Sequence, residues 1–185
     1  MKRLSVGIGA IVVITAIPFL CNTPVLANLQ LVRGTLVQTI IRPEVQLDLS
    51  VNNQVIELDK NGKENVNWEE LEEKAVVQPG DILRYTITSE NISKAVAKNL
   101  VITQPIPQQT TYILGSATLN TGNLTYSIDN GKTFVKKPTI EVALPDGGIT
   151  TKPAPAEKYT HLRWSFRASL DPTVAIKVAY QVKVR

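Results

Sequence analysis

The chain has 185 residues, of which 43% are hydrophobic, 5% aromatic and 19% charged, and its formal net charge is +4. This composition excludes a disordered or collagen-like chain. The first 27 residues are almost entirely apolar and contain Lys2 and Arg3 but no acidic side chain. Beyond them, 158 residues carry 18 basic and 16 acidic side chains. That nearly neutral balance argues against a nucleic-acid-binding protein.

The amino terminus has the order of a secretory signal. Lys2 and Arg3 precede an apolar run over residues 4–20, and Pro24 and the small Ala27 follow it. This order predicts a signal peptide over residues 1–27, cleaved after Ala27, and therefore an exported protein of the periplasm, the cell surface or the medium. The alternative is an uncleaved anchor, since 17 apolar residues are near the lower limit for spanning a bilayer. The chain would then meet the membrane only through this segment.

Cys21 is the only cysteine and lies inside the predicted signal. A lipoprotein signal requires a small residue directly before the cysteine, and Leu20 stands there. After cleavage the protein would have neither a disulfide nor a thiol nucleophile, so its core must stabilise it unaided.

Alternation of apolar and polar residues, typical of strands with one buried face, dominates the rest of the chain. The segment 28–43 is predicted to be an N-terminal arm or an added edge strand. Strands are then predicted over 45–51, 83–87, 100–102, 140–144, 162–166 and 174–184. A turn at Asp171 and Pro172 predicts that the last two pair as an antiparallel hairpin.

The segments between the strands carry turn signals. Asp59 to Gly62 and Asp129 to Gly131 each end in Asn-Gly, which favours a tight turn with positive φ. Residues 68–75 (WEELEEKA) predict one short helical turn, and the Pro- and Gly-rich stretch 145–158 predicts a surface loop. Together these patterns predict an all-β protein, an immunoglobulin-like antiparallel β-sandwich of seven or more strands over residues 44–185.

Four segments within this region carry a family resemblance: 78–88 (QPGDILRYTIT), 90–91 (EN), 97–107 (AKNLVITQPIP) and 111–116 (TYILGS). They resemble the repeat domain of bacterial surface proteins known as domain of unknown function eleven. The resemblance covers roughly residues 44–185 and is most specific between Pro79 and Ser116. Gln104 stands where the family usually has Asp, Ile106 where it has Leu, and Ser93-Lys94 replaces a common glycine.

This resemblance implies an immunoglobulin-like sandwich in exported or cell-surface proteins, used as a structural or adhesive module. It implies no enzymatic activity and supplies no catalytic residues. The missing Asp at Gln104 removes a carboxylate and weakens the case for a metal at that position.

Residues able to carry chemistry are few. His161 is the only histidine, no Gly-x-Ser-x-Gly motif is present, and alternation places His161 on an outward strand face. Glu57, Asp59 and Asn61 resemble the start of a calcium loop, but its twelfth position is Trp68 instead of a bidentate Glu. The glutamates of 69–73 are typical of a solvated face. We therefore expect no catalytic residue, metal site or cofactor.

Two binding surfaces are predicted. If 161–167 and 174–184 form a hairpin, its outward face carries a basic stripe of Arg163, Arg167, Lys177 and Lys183. Such a stripe protects an edge from aggregation or contacts an anionic envelope polymer, lipid headgroups or a partner protein. Trp164 falls on the buried register of its strand, whereas Trp68 is less constrained and is either a core residue or a side chain that can stack on a sugar.

The sequence thus predicts an exported, non-enzymatic structural or adhesive module of the cell envelope. Its expected partner is an envelope polymer or another surface protein. The alternative is a small carbohydrate-binding protein that uses Trp68, and a hydrolase is a distant third.

Overall fold

The computed structural model describes residues 42–72, 75–118 and 121–185. The predicted signal segment and residues 28–41 of the predicted arm lie outside the described residues. The strands are β1 (Val45–Leu58), β2 (Glu64–Glu70), β3 (Ile82–Asn91), β4 (Val101–Pro105), β5 (Thr110–Tyr112), β6 (Asn123–Ser127), β7 (Thr139–Ala143), β8 (Ile149–Pro153), β9 (His161–Ser165) and β10 (Ala175–Val184). In the described ranges the one helical element is a 3-10 turn at Ala156–Lys158, and no helix there is long and apolar enough to cross a membrane.

All strand pairs are antiparallel. A large sheet has the order β2-β1-β3-β10-β5, a small sheet the order β4-β9-β6, and β7 and β8 form a separate hairpin. The prediction of an all-β antiparallel sandwich of seven or more strands is therefore confirmed.

The core lies between the inner faces of the two sheets, as the alternation predicts. Tyr85 of β3 stacks on Tyr180 of β10 with ring centroids 5.2 Å apart, and the ring of Trp164 on β9 lies 6.2 Å from that of Tyr180. All three side chains are buried, and the Trp164 indole N–H donates to the carbonyl of Thr118 at 2.9 Å. The prediction that Trp164 is a core residue is confirmed.

The predicted hairpin of 161–167 with 174–184 is wrong. β9 pairs with β4 and β6 in the small sheet, whereas β10 pairs with β3 and β5 in the large one. Both strands are correctly placed in sequence, but their apolar faces meet each other across the core instead of lying side by side. The connection between them is therefore a crossing from one sheet to the other.

Asn91, at the end of β3, holds this crossing in place. Its buried side-chain amide donates to the carbonyls of Ala95 and Leu170 at 2.7 and 2.8 Å, and its side-chain oxygen accepts from the backbone and hydroxyl of Ser93. Its backbone also bonds to both Thr173 and Val174. One buried side chain thus links the bend after β3 to the β9–β10 connection.

Two local predictions are also wrong. The short helix near 68–75 is not formed at residues 68–72, because Trp68 to Glu70 belong to β2 and pair with Asn52 to Gln54 of β1. Tertiary pairing overrides the helix propensity of the glutamates. The stretch 145–158 is not a plain loop either, since it contains β8 and the 3-10 turn.

Both Asn-Gly segments form the predicted turns, but φ is positive at both residues only in the second, since in the first it is positive at Gly62 and not at Asn61. At the tip of β1–β2, Gly62 has φ 77°, and the Asp59 carboxylate accepts from the backbone N–H groups of Asn61 and Lys63 at 2.8 and 2.9 Å. Asn130 and Gly131 both have positive φ, 58° and 81°. The Asp59 turn closes the β1–β2 hairpin.

Candidate functional site

The β1–β2 hairpin projects beyond the rest of the large sheet. β1 pairs with β3 only as far as Asn53, opposite Leu83. The ladder between β1 and β2 continues to the pair of Leu58 with Glu64. Residues 54–58 and 64–68 therefore form a two-stranded ribbon that no third strand of the described chain flanks.

The registers decide which side chains share the outer face of this ribbon. Leu83 and Tyr85 point into the core, so Arg84 between them points outward together with its partner Asn52. Because the register of β1 runs without interruption, Ile56 and Leu58 lie on the same outer face as Asn52. Their neighbours Val66 and Trp68 on β2 lie there too. We call Ile56, Leu58, Val66 and Trp68 the hairpin patch.

The hairpin patch is apolar and open to solvent. Ile56 is 56% exposed, Leu58 69% and Val66 50%. Ile56 and Val66 are direct cross-strand partners, and Leu58 and Trp68 are each two residues farther along one of the strands. A cluster of exposed aliphatic side chains at the tip of a projecting ribbon is typical of an interaction surface.

Trp68 stands at the inner end of the patch, where the ribbon joins the sheet. The guanidinium carbon of Arg84 lies 4.3 Å from the centre of its ring, a cation–π contact, while Trp68 is half-buried. The side-chain amides of Asn52 and Gln54 lie on the same face. The Arg84 Nε is buried and has no hydrogen-bond partner.

The structure separates the predicted basic stripe. Lys177 and Lys183 lie exposed on the outer face of the large sheet, the face that carries the hairpin patch. Arg163 lies on the small sheet, and Arg167 lies two residues beyond the end of β9. The Arg163 guanidinium lies 3.5 Å from the ring centre of Phe134 and donates from Nε to Thr103 at 3.0 Å. The four basic side chains do not form one stripe, because that prediction depended on a β9–β10 hairpin, which is not formed.

The aliphatic part of the patch was not anticipated from the sequence, although β1 carries a signal for it. Leu47, Leu49 and Val51 occupy odd positions and face the core, whereas Ile56 and Leu58 occupy even positions. In an uninterrupted strand this change of parity transfers apolar side chains to the opposite face. The switch of apolar residues from odd to even positions can therefore be read from the sequence of β1 alone.

His161 lies on the outer face of the small sheet, as its alternation predicts, and is half-buried under the loop after β6. Its ring meets Phe134 edge-on at 6.4 Å, and Nδ1 lies 3.1 Å from the Thr160 hydroxyl. The Thr160 hydroxyl in turn contacts Ser127 and the backbone N–H of Asn130. These contacts fix the loop over the sheet.

Asp129 belongs to the same network but does not orient the histidine. Its carboxylate accepts from the Ser127 hydroxyl at 2.6 Å and from the backbone and hydroxyl of Thr133. These hydrogen bonds hold the pKa of Asp129 far below its usual range. In a catalytic triad the carboxylate bonds to the histidine and the histidine to the nucleophile. Here the carboxylate bonds to the serine, which is the arrangement of a turn anchor.

In the described ranges no group of three or more His, Cys, Asp or Glu side chains is placed to hold a metal ion. Asp59, the centre of the calcium-loop alternative, uses its carboxylate to close the hairpin turn. Comparison of the chain with protein-family models, with curated proteins and with solved structures finds no match.

The environment of His161 predicts that the protein becomes less stable as the pH is lowered. Burial and the nearby Arg163 lower the pKa of His161, and Asp129 opposes them only in part. The unfolded chain, with a histidine pKa of about 6.5, then takes up a proton first as the pH falls, so the free energy of unfolding decreases below about pH 6.5. Urea unfolding between about pH 7.5 and 5.5 should show this decrease, and His161→Gln should flatten it.

If the free energy of unfolding decreases equally in the His161→Gln variant, His161 is not the group responsible for the pH dependence. The contribution of Asp129 falls in a different window, because its folded pKa is lowered and its stabilisation is lost only below the unfolded value of about 3.9.

Proposed function

We propose that the chain is an exported, non-enzymatic structural or adhesive module of the cell envelope that binds its partner through the hairpin patch. The observation that carries the proposal is the exposed cluster of Ile56, Leu58 and Val66 on a projecting ribbon. The signal-like amino terminus and the resemblance to a surface-protein repeat domain support an envelope location.

The fold supports an interaction role in a second way. The core is filled by side chains of both sheets, and the only histidine is engaged in anchoring a loop. The hairpin, in contrast, places apolar side chains in solvent, where they contribute nothing to the core. Burying such side chains against a partner stabilises a complex by roughly 25 cal/mol for each Å² removed from water.

Substitution of the aliphatic patch tests the proposal. The triple variant Ile56→Ser, Leu58→Ser, Val66→Thr should release most of the protein from the envelope fraction, because the contact surface becomes polar. Fractionation of expressing cells into envelope, periplasm and medium measures this. All three side chains are exposed, so the melting temperature should change little.

A matched control is available elsewhere on the surface. Ile149, Leu114 and Val135 are 72%, 53% and 48% exposed, and the variant Ile149→Ser, Leu114→Ser, Val135→Thr removes the same atoms from other sites. It should fractionate like the unchanged protein. Equal release by both variants, or by neither, would refute a specific role of the hairpin patch.

Carbohydrate binding is the second candidate, and the surroundings of Trp68 favour it. Sugars stack on aromatic rings and bond to amides and guanidinium groups, and Trp68 lies beside Arg84, Asn52 and Gln54 on one open sheet face. Because Arg84 covers one face of the indole, a sugar would stack on the other face.

A glycan array followed by fluorescence titration separates the two candidates. Trp164 is fully buried, so a ligand-dependent change in emission reports on Trp68. For a sugar-binding protein, Trp68→Ala should abolish binding to any glycan found on the array, while Trp68→Phe should retain part of it. A silent array, with envelope association intact, leaves the adhesive module as the better account.

A further inference from the structure

Within the described residues, the backbone groups on the outer edge of β2 have no partner strand. The backbone N–H of Leu71 donates to Val51, and that of Asp59 donates to Lys63, so hydrogen-bonded pairs fall at the odd positions at both ends of the ladder. In an antiparallel ladder such pairs alternate with non-bonded ones. The even-numbered residues of β2 therefore direct their N–H and C=O groups away from β1. They are Glu64, Val66, Trp68 and Glu70.

No other strand of the described chain covers this edge. β2 ends the order of the large sheet, and among the described strands it contacts β1 alone. Natural proteins protect such edges or use them to add a strand from a partner. β2 is seven residues long and regular, with the apolar side chains of Val66 and Trp68 at its centre.

The charge of the edge indicates the partner. Residues 64–72 contain Glu64, Glu69, Glu70 and Glu72 and no basic side chain. Pairing of β2 with β2 of a second copy, centred on Asn67, would put Glu64 opposite Glu70 at both ends. Like charges directly opposite each other destabilise a ladder. In that register the edge is complementary to a basic strand and not to itself, and a dimer in any other register is an outcome of the test.

We propose that β2 binds an extended, basic segment of another protein as an added antiparallel strand. This inference rests on the proposed function and names the partner of the same hairpin. The added strand bonds to the free groups of the four even-numbered residues. It places apolar side chains beside Val66 and Trp68, and lysine or arginine beside Glu64, Glu69 and Glu70.

A capped synthetic peptide tests strand addition directly. Facing β2 antiparallel from Glu70 to Glu64, the complementary sequence is Lys-Lys-Val-Thr-Val-Thr-Lys. The control peptide, Glu-Glu-Val-Thr-Val-Thr-Glu, has the same length and strand propensity but the opposite charge. Titration into protein purified from an exporting host should show binding of the lysine peptide only. The affinity should fall as salt is raised.

Two chain variants separate backbone pairing from simple charge attraction. Val66→Pro removes an N–H that points to the free edge and takes no part in the β1 ladder. Val66→Ala trims the side chain but keeps that N–H. We expect Val66→Pro to bind the lysine peptide about tenfold more weakly than Val66→Ala does.

If Val66→Pro lowers the melting temperature, a charge reversal on β2 still tests strand addition. In the variant Glu64→Lys, Glu69→Lys, Glu70→Lys the preference should switch to the glutamate peptide. Equal binding of both peptides to the unchanged protein, equal affinities of the two Val66 variants when both fold, or an unchanged preference after the reversal would overturn strand addition. A dimer that forms through β2 would also overturn it.

The outcomes distinguish this inference from the proposed function. If the aliphatic patch variant loses envelope association while the charge reversal keeps it, the hairpin binds by its face and strand addition is wrong. If the aliphatic patch variant keeps envelope association, the proposed function itself fails.

Discussion

The packing of β9 against β10 across the core is the contact on which the rest of the structure depends. Trp164 and Tyr180 meet there, and Tyr85 stacks on Tyr180 from the neighbouring strand. Since the two strands face each other across the core, their outward side chains point to opposite surfaces of the protein. Arg163 is thereby assigned to one surface of the protein and Lys177 to the other. The same arrangement requires the chain to cross between sheets after β9, and Asn91 bonds to that crossing at Leu170.

The ribbon of residues 54–58 and 64–68 is the part of the large sheet that contributes no side chain to the hydrophobic core. β1 contributes Leu49 and Val51 to the core, then passes the last pair with β3 and continues as a ribbon. The Asp59 carboxylate closes its tip. Beyond the sheet the ribbon has no core of the described chain to cover, which is why we propose that its apolar side chains contact a partner. Its face supplies apolar area, and the edge of β2 supplies directed hydrogen bonds and negative charge.

Strands with one buried face could be predicted from sequence, because burial imposes a period of two on β3, β9 and β10. β2 could not, because its residues 64–70 are mostly exposed and only pairing with β1 makes them a strand. The β9–β10 hairpin was wrong for a related reason, since alternation shows that a strand has a buried face but not which sheet it joins. Of the site, the sequence singles out Trp68 as a core residue or a glycan contact without deciding between them, whereas Ile56 and Leu58 can be found only by following the odd and even positions of β1 past Asn53.

Among the residues that the structure describes, β2 has one edge bonded to β1 and one edge without a partner strand. Residue-resolved amide hydrogen exchange of the unliganded protein tests it most directly. The amides of Asn65 and Asn67, which donate to β1, should exchange slowly, and those of Val66 and Trp68 should exchange at rates close to an open chain. Slow exchange at all four amides would mean that the edge is already covered and would contradict the account.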